Sequence, residues 1–372
     1  MRGGEKTKEK RMTRIGIIGT GTYGAIHLDA ITQRQKLAGD VELVGFAEID
    51  PNRRRETERC YGVPGYSSHG ELVEQGRPDA VTVVTPDHLH YQVVMDCLDR
   101  NLAVLVEKPF ATKVEEALAM AARARKSGLL CQVDFHKRFD PYHIDLKLRI
   151  EAGELGTVQY GYCWMEDVLQ VGTAMIGKKS WEDQGSPAWF LGIHMIDLTY
   201  WLMGLPKPRR VYATGFKGKL SSMGIDIYDS VKAEVTYANG AVFTYDTSVI
   251  LPDSHESIVR QGVKIVGTEG FMEVNSQYRG ARGCTTTKGM ETPNLGMTYR
   301  KFSKSGETLK LGYLNDSIYD FIENVQHLQN GGTLEELEGL YASPEQGVVT
   351  TKIGVAIHES ARSGQLYEIK DQ

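Results

Sequence analysis

Near its start the chain carries a short apolar run that leads into a glycine-rich turn. Residues 14–18 (RIGII) precede Gly19-Thr-Gly21-Thr-Tyr-Gly24, and a helical pattern then continues to about residue 34. In such a turn the first glycine permits a tight bend, the second lets a phosphate approach the backbone, and the third lets helix and strand pack closely. The helix start adds N–H groups and partial positive charge. The pattern predicts a dinucleotide site lined by Gly19, Gly21, Thr22, Tyr23 and Gly24.

The alternation of strand and helix continues through the first half of the chain. Further apolar, strand-like segments lie at 41–50, 79–86, 103–109 and 129–135, and helical segments separate them. Strands that alternate with helices form a parallel sheet covered on both faces, and nearly continuous apolar strands fit that burial. We therefore predict an α/β dinucleotide-binding (Rossmann) domain over residues 13–136.

An acidic residue at the end of the second strand bears on the cofactor. Glu48 and Asp50 compete for this position, where a carboxylate accepts hydrogen bonds from ribose hydroxyls and repels a 2′-phosphate. Glu48 follows the small Ala47 at the strand end, whereas Asp50 precedes Pro51 and suits a helix N-cap. We predict that Glu48 binds the ribose and that the cofactor is NAD, with the arginines at 53–55 leaving NADP as the alternative.

Charge and composition argue against two other classes of partner, nucleic acids and membranes. The formal net charge is −5 and the pI about 6.1, whereas nucleic-acid-binding domains are usually basic, so no nucleic-acid partner is expected. No apolar run approaches the roughly 20 residues that span a bilayer, so no membrane partner is expected either. Residues 1–12 lack the apolar core of a secretory signal and are predicted to be a disordered tail. The five cysteines lack metal-type spacing, which favours free thiols in the cytoplasm and no metal site.

Four further segments carry a recognisable signature. They are Thr85-Pro86-Asp-His-Leu-His90, Glu107-Lys108-Pro109, Gly153-Glu-Leu-Gly156 and Gly192-Ile-His194-Met-Ile-Asp197. In order and spacing, together with the glycine-rich turn, they resemble the glucose–fructose oxidoreductase, inositol dehydrogenase and MocA (Gfo/Idh/MocA) family. Weaker similarities continue to residues 356–365, so the resemblance covers nearly the whole chain after the tail.

The resemblance implies a second, α+β domain with a large, mostly antiparallel open sheet. The second half of the chain agrees, because it contains several strand-like segments and a hairpin signal at Asn239-Gly240. We expect residues 137–372 to form this substrate-binding and oligomerisation domain, with a last helix near 345–363 that packs back on the first domain. An open sheet face in this family usually pairs with another subunit, which implies a homo-oligomer.

The resemblance also implies roles for residues near the predicted cofactor. It places Thr85, Pro86, His90 and Glu107 at the cofactor. It makes Lys108 both a cofactor-site residue and the catalytic group that hydrogen-bonds the reacting hydroxyl and stabilises negative charge as its proton leaves.

The resemblance further makes His194 the catalytic proton acceptor and Asp197 a holder of a substrate hydroxyl, on one helix face. The family, however, often carries an aspartate four residues before this histidine, and the residue there is Phe190. An apolar ring cannot relay a proton; it would desolvate the imidazole and favour the neutral form. Either His194 acts without a partner or another group supplies the charge, and His136 in the unusual FHKRFDP segment is one candidate.

Aromatic and polar residues of the second domain are candidates for substrate contacts, because a sugar ring stacks its C–H face and needs partners for its hydroxyls. The predicted substrate residues are His136, Arg138, Trp164, Asp167, Trp181 and Tyr228. The alternative for the loop at 166–189 is a subunit contact, and for His136 and Arg138 a cofactor-side or interdomain contact.

Three functions stay open at this point. The leading hypothesis is an NAD(H)-dependent oxidoreductase that oxidises a secondary hydroxyl of a sugar, an inositol-like polyol or a glycoside, with hydride transfer to nicotinamide. The second is an NAD-dependent glycosidase or lyase that works by transient ring oxidation and elimination, which predicts retained cofactor and no net NADH. The third is a non-catalytic nucleotide-binding sensor, which predicts cofactor binding without turnover, insensitive to Lys108→Ala.

Overall fold

The apolar strands of the first half form one parallel sheet, because each is followed by a helix that returns the chain to the same edge. The strand order is β3-β2-β1-β4-β5-β6, and the order reverses between β1 and β4. Ligands of such sheets bind where the carboxyl ends of the strands meet this reversal. The strands are β1 (Thr13–Ile18), β2 (Val41–Ala47), β3 (Gly65–Tyr66), β4 (Ala80–Val83), β5 (Ala103–Glu107) and β6 (Cys131–Asp134).

The computed structural model describes residues 11–176, 186–304 and 306–370, so most of the predicted tail lies outside these ranges. The helices that connect the parallel strands are α1 (Thr22–Ala38), α2 (Pro51–Tyr61), α3 (His69–Glu71), α4 (His90–Asp99) and α5 (Val114–Ser127). Asp50 caps α2 as predicted: its side chain accepts hydrogen bonds from the N–H groups of Asn52 (2.8 Å) and Arg53 (3.1 Å).

The second half forms a seven-stranded mixed sheet in the order β12-β11-β7-β10-β9-β8-β17. Its pairings are antiparallel except for β7 and β10, which run parallel. The predicted hairpin turn is confirmed, since Gly240 has φ +87 between β9 and β10. The strands are β7 (Val158–Val168), β8 (Pro208–Phe216), β9 (Ser230–Tyr237), β10 (Val242–Leu251), β11 (Val259–Gly267), β12 (Phe271–Asn275) and β17 (Tyr367–Glu368).

Helices cover one face of this mixed sheet, and two small hairpins follow β12 along the chain. The helices are α6 (Pro141–Glu151), α7 (Leu169–Val171) and α8 (Ile193–Leu202). A π-helical turn at Ala188–Gly192 leads directly into α8. The hairpins pair β13 (Gly283–Thr285) with β14 (Gly289–Glu291) and β15 (Tyr299–Phe302) with β16 (Thr308–Leu311). The fold is therefore an α/β parallel-sheet unit joined to an α+β unit with an open sheet, as predicted.

Two late helices tie the halves together. The first, α9 (Tyr313–Gln329), packs against the parallel sheet, where its Phe321 and Ile322 join a core that contains Ile15 and Ile17. The second, α10 (Pro344–Ser363), lies against β8 and α5. Gly347 of α10 allows this approach, because a Cβ there would stand 2.7 Å from the ring of Phe110.

The composition predicts no membrane partner and free cysteine thiols, and the structure can be compared with both. Within the described ranges, no helix is both long enough and apolar enough to cross a membrane. All five cysteines lie in those ranges, and each is a free thiol.

Candidate active site

The glycine-rich turn is built as its spacing predicts. Gly19 has φ +97, and a Cβ at this position would stand 2.5 Å from the carbonyl oxygen of Val84. A Cβ on Gly24 would lie 2.2 Å from the Gly19 carbonyl oxygen, whereas a Cβ on Gly21 would meet nothing within 4 Å. Gly19 and Gly24 are therefore required by the fold of the turn itself, and Gly21 leaves open space at the start of α1.

This open space fits the pyrophosphate of a dinucleotide. The first N–H groups of the 17-residue helix α1 point toward it, since the N-cap residue Gly21 has no side chain to occupy them. Thr22 and Tyr23 are the first two residues of that helix, and both line the adjoining cavity described below. The residues present therefore suit NAD at this edge of the sheet.

Glu48 lies at the end of β2, one strand away from the turn. Its carboxylate accepts hydrogen bonds from the Thr20 N–H (3.1 Å), the Thr20 hydroxyl (2.8 Å) and the Asp50 N–H (2.9 Å). Burial favours the neutral acid, but these hydrogen bonds outweigh it and lower the pKa of Glu48. The structure thus places an ionised carboxylate beside the glycine-rich turn, with Arg53 3.6 Å away.

The segment after β4 is held by a buried histidine. The ring nitrogens of His90 lie 2.8 Å from the Pro109 carbonyl oxygen and 3.0 Å from that of Thr85. A ring N–H donates to one of these two carbonyl oxygens, and the ring lies between the loop after β4 and the loop after β5. Pro86 stands between Thr85 and the short 3-10 turn at Asp87–Leu89. Of the four residues expected at the cofactor, His90 is placed as a brace inside the protein.

Glu107 also points into the interior, toward α1. Its carboxylate lies 3.3 Å from Nε2 of His27, and the Asp134 carboxylate lies 3.5 Å from the same nitrogen. Burial opposes a charged imidazole here, but the hydrogen bonds to Asp134 and Glu107 prevail and raise the pKa of His27 to about 9. At neutral pH an imidazolium therefore joins two buried carboxylates directly beneath the end of β5.

Lys108 follows at the end of β5, before a cis peptide bond to Pro109. Its ammonium donates a hydrogen bond to the Phe190 carbonyl oxygen (3.3 Å) and lies 4.8 Å from the centre of the Phe190 ring and 5.5 Å from that of Tyr23. The lysine is buried, and its two aromatic neighbours line a cavity of about 720 Å³ between the parallel sheet and the mixed sheet. The lysine charge is thus held by ring faces at the cavity wall.

Two neutral histidines share this cavity. The rings of His136 and His194 are 4.7 Å apart, and the ring of Tyr313 stacks 5.5 Å from that of His136. Burial lowers the pKa of His194, and the nearby charge of Lys108 lowers it further; burial brings the pKa of His136 to about 3. Nδ1 of His194 is buried and has no hydrogen-bond partner among the described residues. His194 is therefore available to a ligand in its neutral form.

A carboxylate and a second lysine complete the inner wall. Asp167 ends the inward-facing row of β7, and burial raises its pKa to about 7 although Lys108 and Lys137 oppose the rise. Lys137 follows His136 in the 3-10 turn His136–Phe139 and donates a hydrogen bond to the Gln261 side chain. Burial lowers the pKa of Lys137 to about 8. The cavity thus holds groups that exchange protons near neutral pH.

Asp197 and Arg138, both predicted to contact substrate, instead contact each other. Arg138 donates two hydrogen bonds to the Asp197 carboxylate, from Nε (2.9 Å) and from Nη2 (2.5 Å). Both side chains are buried, and neither is among the residues that line the cavity. Because the guanidinium occupies both carboxylate oxygens, this pair joins α8 to the turn that carries His136 and Lys137.

The structure does not bring the remaining predicted substrate residues to this cavity. Trp164 lies on the opposite face of β7 from Asp167, where its ring covers Gly262 and stacks on Tyr162 at 5.1 Å. Tyr228 covers Gly215 and lines a separate cavity of about 820 Å³ beside α10. Trp181 lies outside the described residues.

Several residues of the cavity wall were not singled out from the sequence. Gln261 comes from β11, Asn294 from the segment after β14, and Tyr313 from the first position of α9. Each is far along the chain from the glycine-rich turn and lies in no motif. The one usable signal was the polar FHKRFDP segment, which contains Lys137.

Comparison with known proteins agrees with this geometry. A family model described as an oxidoreductase family with an NAD-binding Rossmann fold matches residues 13–135. A model of the Gfo/Idh/MocA C-terminal domain matches residues 143–273, so that the two together cover about two thirds of the chain.

Individual relatives extend over most of the chain. An inositol 2-dehydrogenase of Rubrobacter xylanophilus is 26% identical over 262 residues, 70% of each protein. A D-glucoside 3-dehydrogenase of Escherichia coli is 24% identical over 96% of this chain and 97% of that protein. The crystal structure of scyllo-inositol dehydrogenase from Lactobacillus casei with bound NAD(H) and scyllo-inositol has the same fold, with a TM-score of 0.78 at 17% identity over 96% of this chain and 99% of the other.

Proposed function

The chain belongs to the Gfo/Idh/MocA family of NAD-binding oxidoreductases, and on that premise we propose that it oxidises a secondary hydroxyl of an inositol-like polyol, a sugar or a glycoside. One observation carries the proposal: a neutral buried histidine lines a cavity at the carboxyl edge of the dinucleotide-binding sheet, and the rings of Tyr23 and Phe190 in the same wall hold a buried lysine. The relatives named inositol 2-dehydrogenase and D-glucoside 3-dehydrogenase support the substrate class.

The residues around the glycine-rich turn have the chemistry to hold the cofactor. The N–H groups at Gly21, Thr22 and Tyr23 suit the pyrophosphate, and the Glu48 carboxylate suits the ribose hydroxyls of NAD. Bound NAD supplies an acceptor for the hydride that leaves the substrate carbon. The negative charge of Glu48 disfavours a 2′-phosphate at the same place, which supports NAD over NADP.

Lys108 and His194 handle the hydroxyl. The ammonium of Lys108 donates a hydrogen bond to the hydroxyl oxygen and stabilises the charge that grows on it as the O–H bond breaks. His194 is neutral, so it can take up the proton. The buried Arg138–Asp197 ion pair keeps α8, and with it His194, in place.

Glycoside cleavage by transient oxidation and elimination is the second candidate. This reaction needs a base for the C–H bond next to the oxidised carbon and an acid for the leaving group, in addition to the groups that serve the oxidation. Lys137 and Asp167 line the cavity beside His194 and supply two further ionisable side chains. The same assay separates the two candidates, because the second leaves no net NADH.

The test follows NADH absorbance after NAD is added to the purified protein with inositols, hexoses and glycosides. We expect one class to yield NADH, and Lys108→Ala to lower kcat/KM by about a hundredfold or more while NAD binding by calorimetry is retained. Lys113→Ala, at an exposed lysine paired with Glu116, is the matched control and should act like the wild type. Aglycone release without NADH would support the second candidate. NAD binding without turnover on any substrate would contradict both enzymatic candidates and support a nucleotide-binding sensor.

We further propose that the protein is a homo-oligomer that assembles through the open face of the mixed sheet. This face carries exposed aromatic side chains on three strands, and exposed apolar patches mark contact sites. The exposed aromatics are Tyr160, Tyr162, Tyr212, Phe216 and Phe271.

A further inference from the structure

Asp167 is the one carboxylate of the cavity wall without an ion pair among the described residues. The other two wall carboxylates, Glu256 and Glu291, lie at the outer end, 2.9 Å from Arg282 and 3.2 Å from Lys288. Asp167 is only 5% exposed, and no described residue donates a hydrogen bond to it. A buried carboxylate left unpaired in this way is costly to the fold, and such groups are usually kept for a function.

The strand that carries Asp167 aims it at the reacting region. Side chains alternate along β7, so Met165 and Asp167 both face the cavity. Glu166 between them faces the other side of the sheet, where Arg260 bonds to it at 2.6 Å. Two neighbouring carboxylates of one strand therefore lie in opposite surroundings, one neutralised at the surface and the other facing the cavity of His194.

The charges around His194 disfavour a proton that stays on its ring. Lys108 and Lys137 both lower the pKa of His194, so an imidazolium formed during the reaction would stand among cations. His136 cannot offset that charge, because burial keeps it neutral. Phe190 cannot do so either, since it offers a carbonyl oxygen that already accepts a hydrogen bond from Lys108. Asp167 is the remaining group of opposite charge in the inner cavity.

We propose that Asp167 is an acid–base residue of this site and the final acceptor of the alcohol proton. This inference rests on the proposed oxidation. The substrate O–H bond breaks, its proton passes by way of His194 to the Asp167 carboxylate, which becomes a carboxylic acid, and the C–H hydride leaves to NAD. The cavity ends the step with a neutral acid and a neutral imidazole, in place of an imidazolium whose charge Lys108 and Lys137 both oppose.

The surroundings of Asp167 set the pH at which it works. Burial raises its pKa to about 7, against the effect of Lys108 and Lys137, so the carboxylate is half ionised near neutral pH, where a general base is most effective. Oxidation should therefore rise with pH through about 7. The charged and titratable groups that face it from the packed elements are Lys108, Lys137, His136, His194, Tyr23 and Tyr313.

The experiment compares Asp167→Asn, Asp167→Glu and the control Glu166→Gln across a pH series, with the substrate found in the NADH assay. We expect Asp167→Asn to lower kcat/KM by about a hundredfold and to lose the limb near pH 7, whereas Asp167→Glu and Glu166→Gln keep the limb. If Asp167→Asn keeps both its rate and the limb, the proposal is wrong. An inactive wild type would contradict the proposed oxidation instead, so the two failures are distinguishable.

A titration by NMR tests the same residue without turnover. In protein labelled with 13C at carboxyl groups, we expect two aspartate signals to titrate well above their usual range in the wild type and in Glu166→Gln, one from Asp167 near pH 7 and one from Asp320 near pH 6. In Asp167→Glu one of the two signals should move to the glutamate region, which identifies it as that of residue 167 even if the asparagine variant fails to fold. Two such aspartate signals that both persist in Asp167→Glu would overturn the proposal.

Discussion

Phe190 places an apolar ring in the cavity wall, at the position where the family often carries an aspartate. Burial is the largest cause of the lowered pKa of His194, and Phe190 lines the same cavity. The same residue also holds Lys108, through its ring face and its carbonyl oxygen. That carbonyl belongs to the π-helical turn Ala188–Gly192, a type of turn that often marks functional sites. One apolar residue thus positions the lysine and leaves the proton to other groups.

The glycines of the dinucleotide turn should respond differently to substitution. We expect Gly21→Leu to leave the unfolding temperature nearly unchanged but to weaken NAD binding strongly, because the side chain enters open space where the pyrophosphate belongs. We expect Gly24→Ala to destabilise the protein, because its Cβ would stand 2.2 Å from the Gly19 carbonyl oxygen. Thermal unfolding and NAD calorimetry measure both effects. Undiminished NAD affinity in Gly21→Leu would place the cofactor elsewhere.

The end of β5 depends on α1 and β6 for its charge balance. His27 of α1 lies between Glu107 of β5 and Asp134 of β6, and Lys108 follows Glu107 directly. Two carboxylates so close together cannot both stay ionised in the interior without a cation between them. Three elements therefore share one imidazolium, which holds the strand that presents the lysine.

Substituting His27 should change stability in a pH-dependent way. The folded-state pKa of His27, about 9, lies above its ordinary 6.5, so its stabilisation is complete below pH 6.5 and disappears as pH rises through about 9. We expect His27→Gln to cost about 3 to 5 kcal/mol below pH 6.5, and clearly less above pH 9. Urea unfolding at several pH values measures this difference.

The control for this prediction is His69→Gln. His69 is a partly exposed histidine 2.9 Å from Asp96, so its ion pair is screened by water and should contribute little at any pH. Equal losses for the two variants, or a loss for His27→Gln that does not vary with pH, would show that the buried imidazolium is not the source of the effect.

Helices α9 and α10, which come late in the sequence, join the two halves of the molecule. Helix α9 shares a core with β1 and α1, and Gln132 of β6 bonds to Asp320 of α9 at 2.9 Å. Its first residue, Tyr313, stacks on His136 in the cavity. The cavity wall is therefore assembled from both ends of the chain, and its geometry depends on this docking.

Assembly of subunits should depend on the open face of the mixed sheet. We expect light scattering after size exclusion to give a multiple of the 41.4 kDa chain mass, and Tyr162→Glu to lower it, because a buried unpaired charge disfavours association. The matched control, Leu148→Glu on the exposed side of α6, should leave the mass unchanged. A wild-type mass equal to one chain would contradict assembly, and a multiple that persists in Tyr162→Glu would place the contact elsewhere.

The fold around the dinucleotide turn was largely readable along the chain, because it depends on local patterns. The glycine spacing, the strand–helix alternation and the Asp50 cap each involve residues within a few turns of one another, and all are present in the structure. The alternation of side chains along β7 could also have shown that Trp164 and Asp167 face opposite sides of the sheet, because they are an odd number of residues apart.

The partners of the charged side chains were decided by the tertiary structure alone. Nothing in the sequence pairs Arg138 with Asp197, places His27 between Glu107 and Asp134, or leaves Asp167 unpaired. These contacts join residues 59 to 107 positions apart or bring groups to a cavity from several elements, so they depend on strand register and helix docking. Whether a carboxylate binds substrate, pairs with arginine or exchanges a proton follows from its burial and its neighbours, which the sequence determines only through the completed fold.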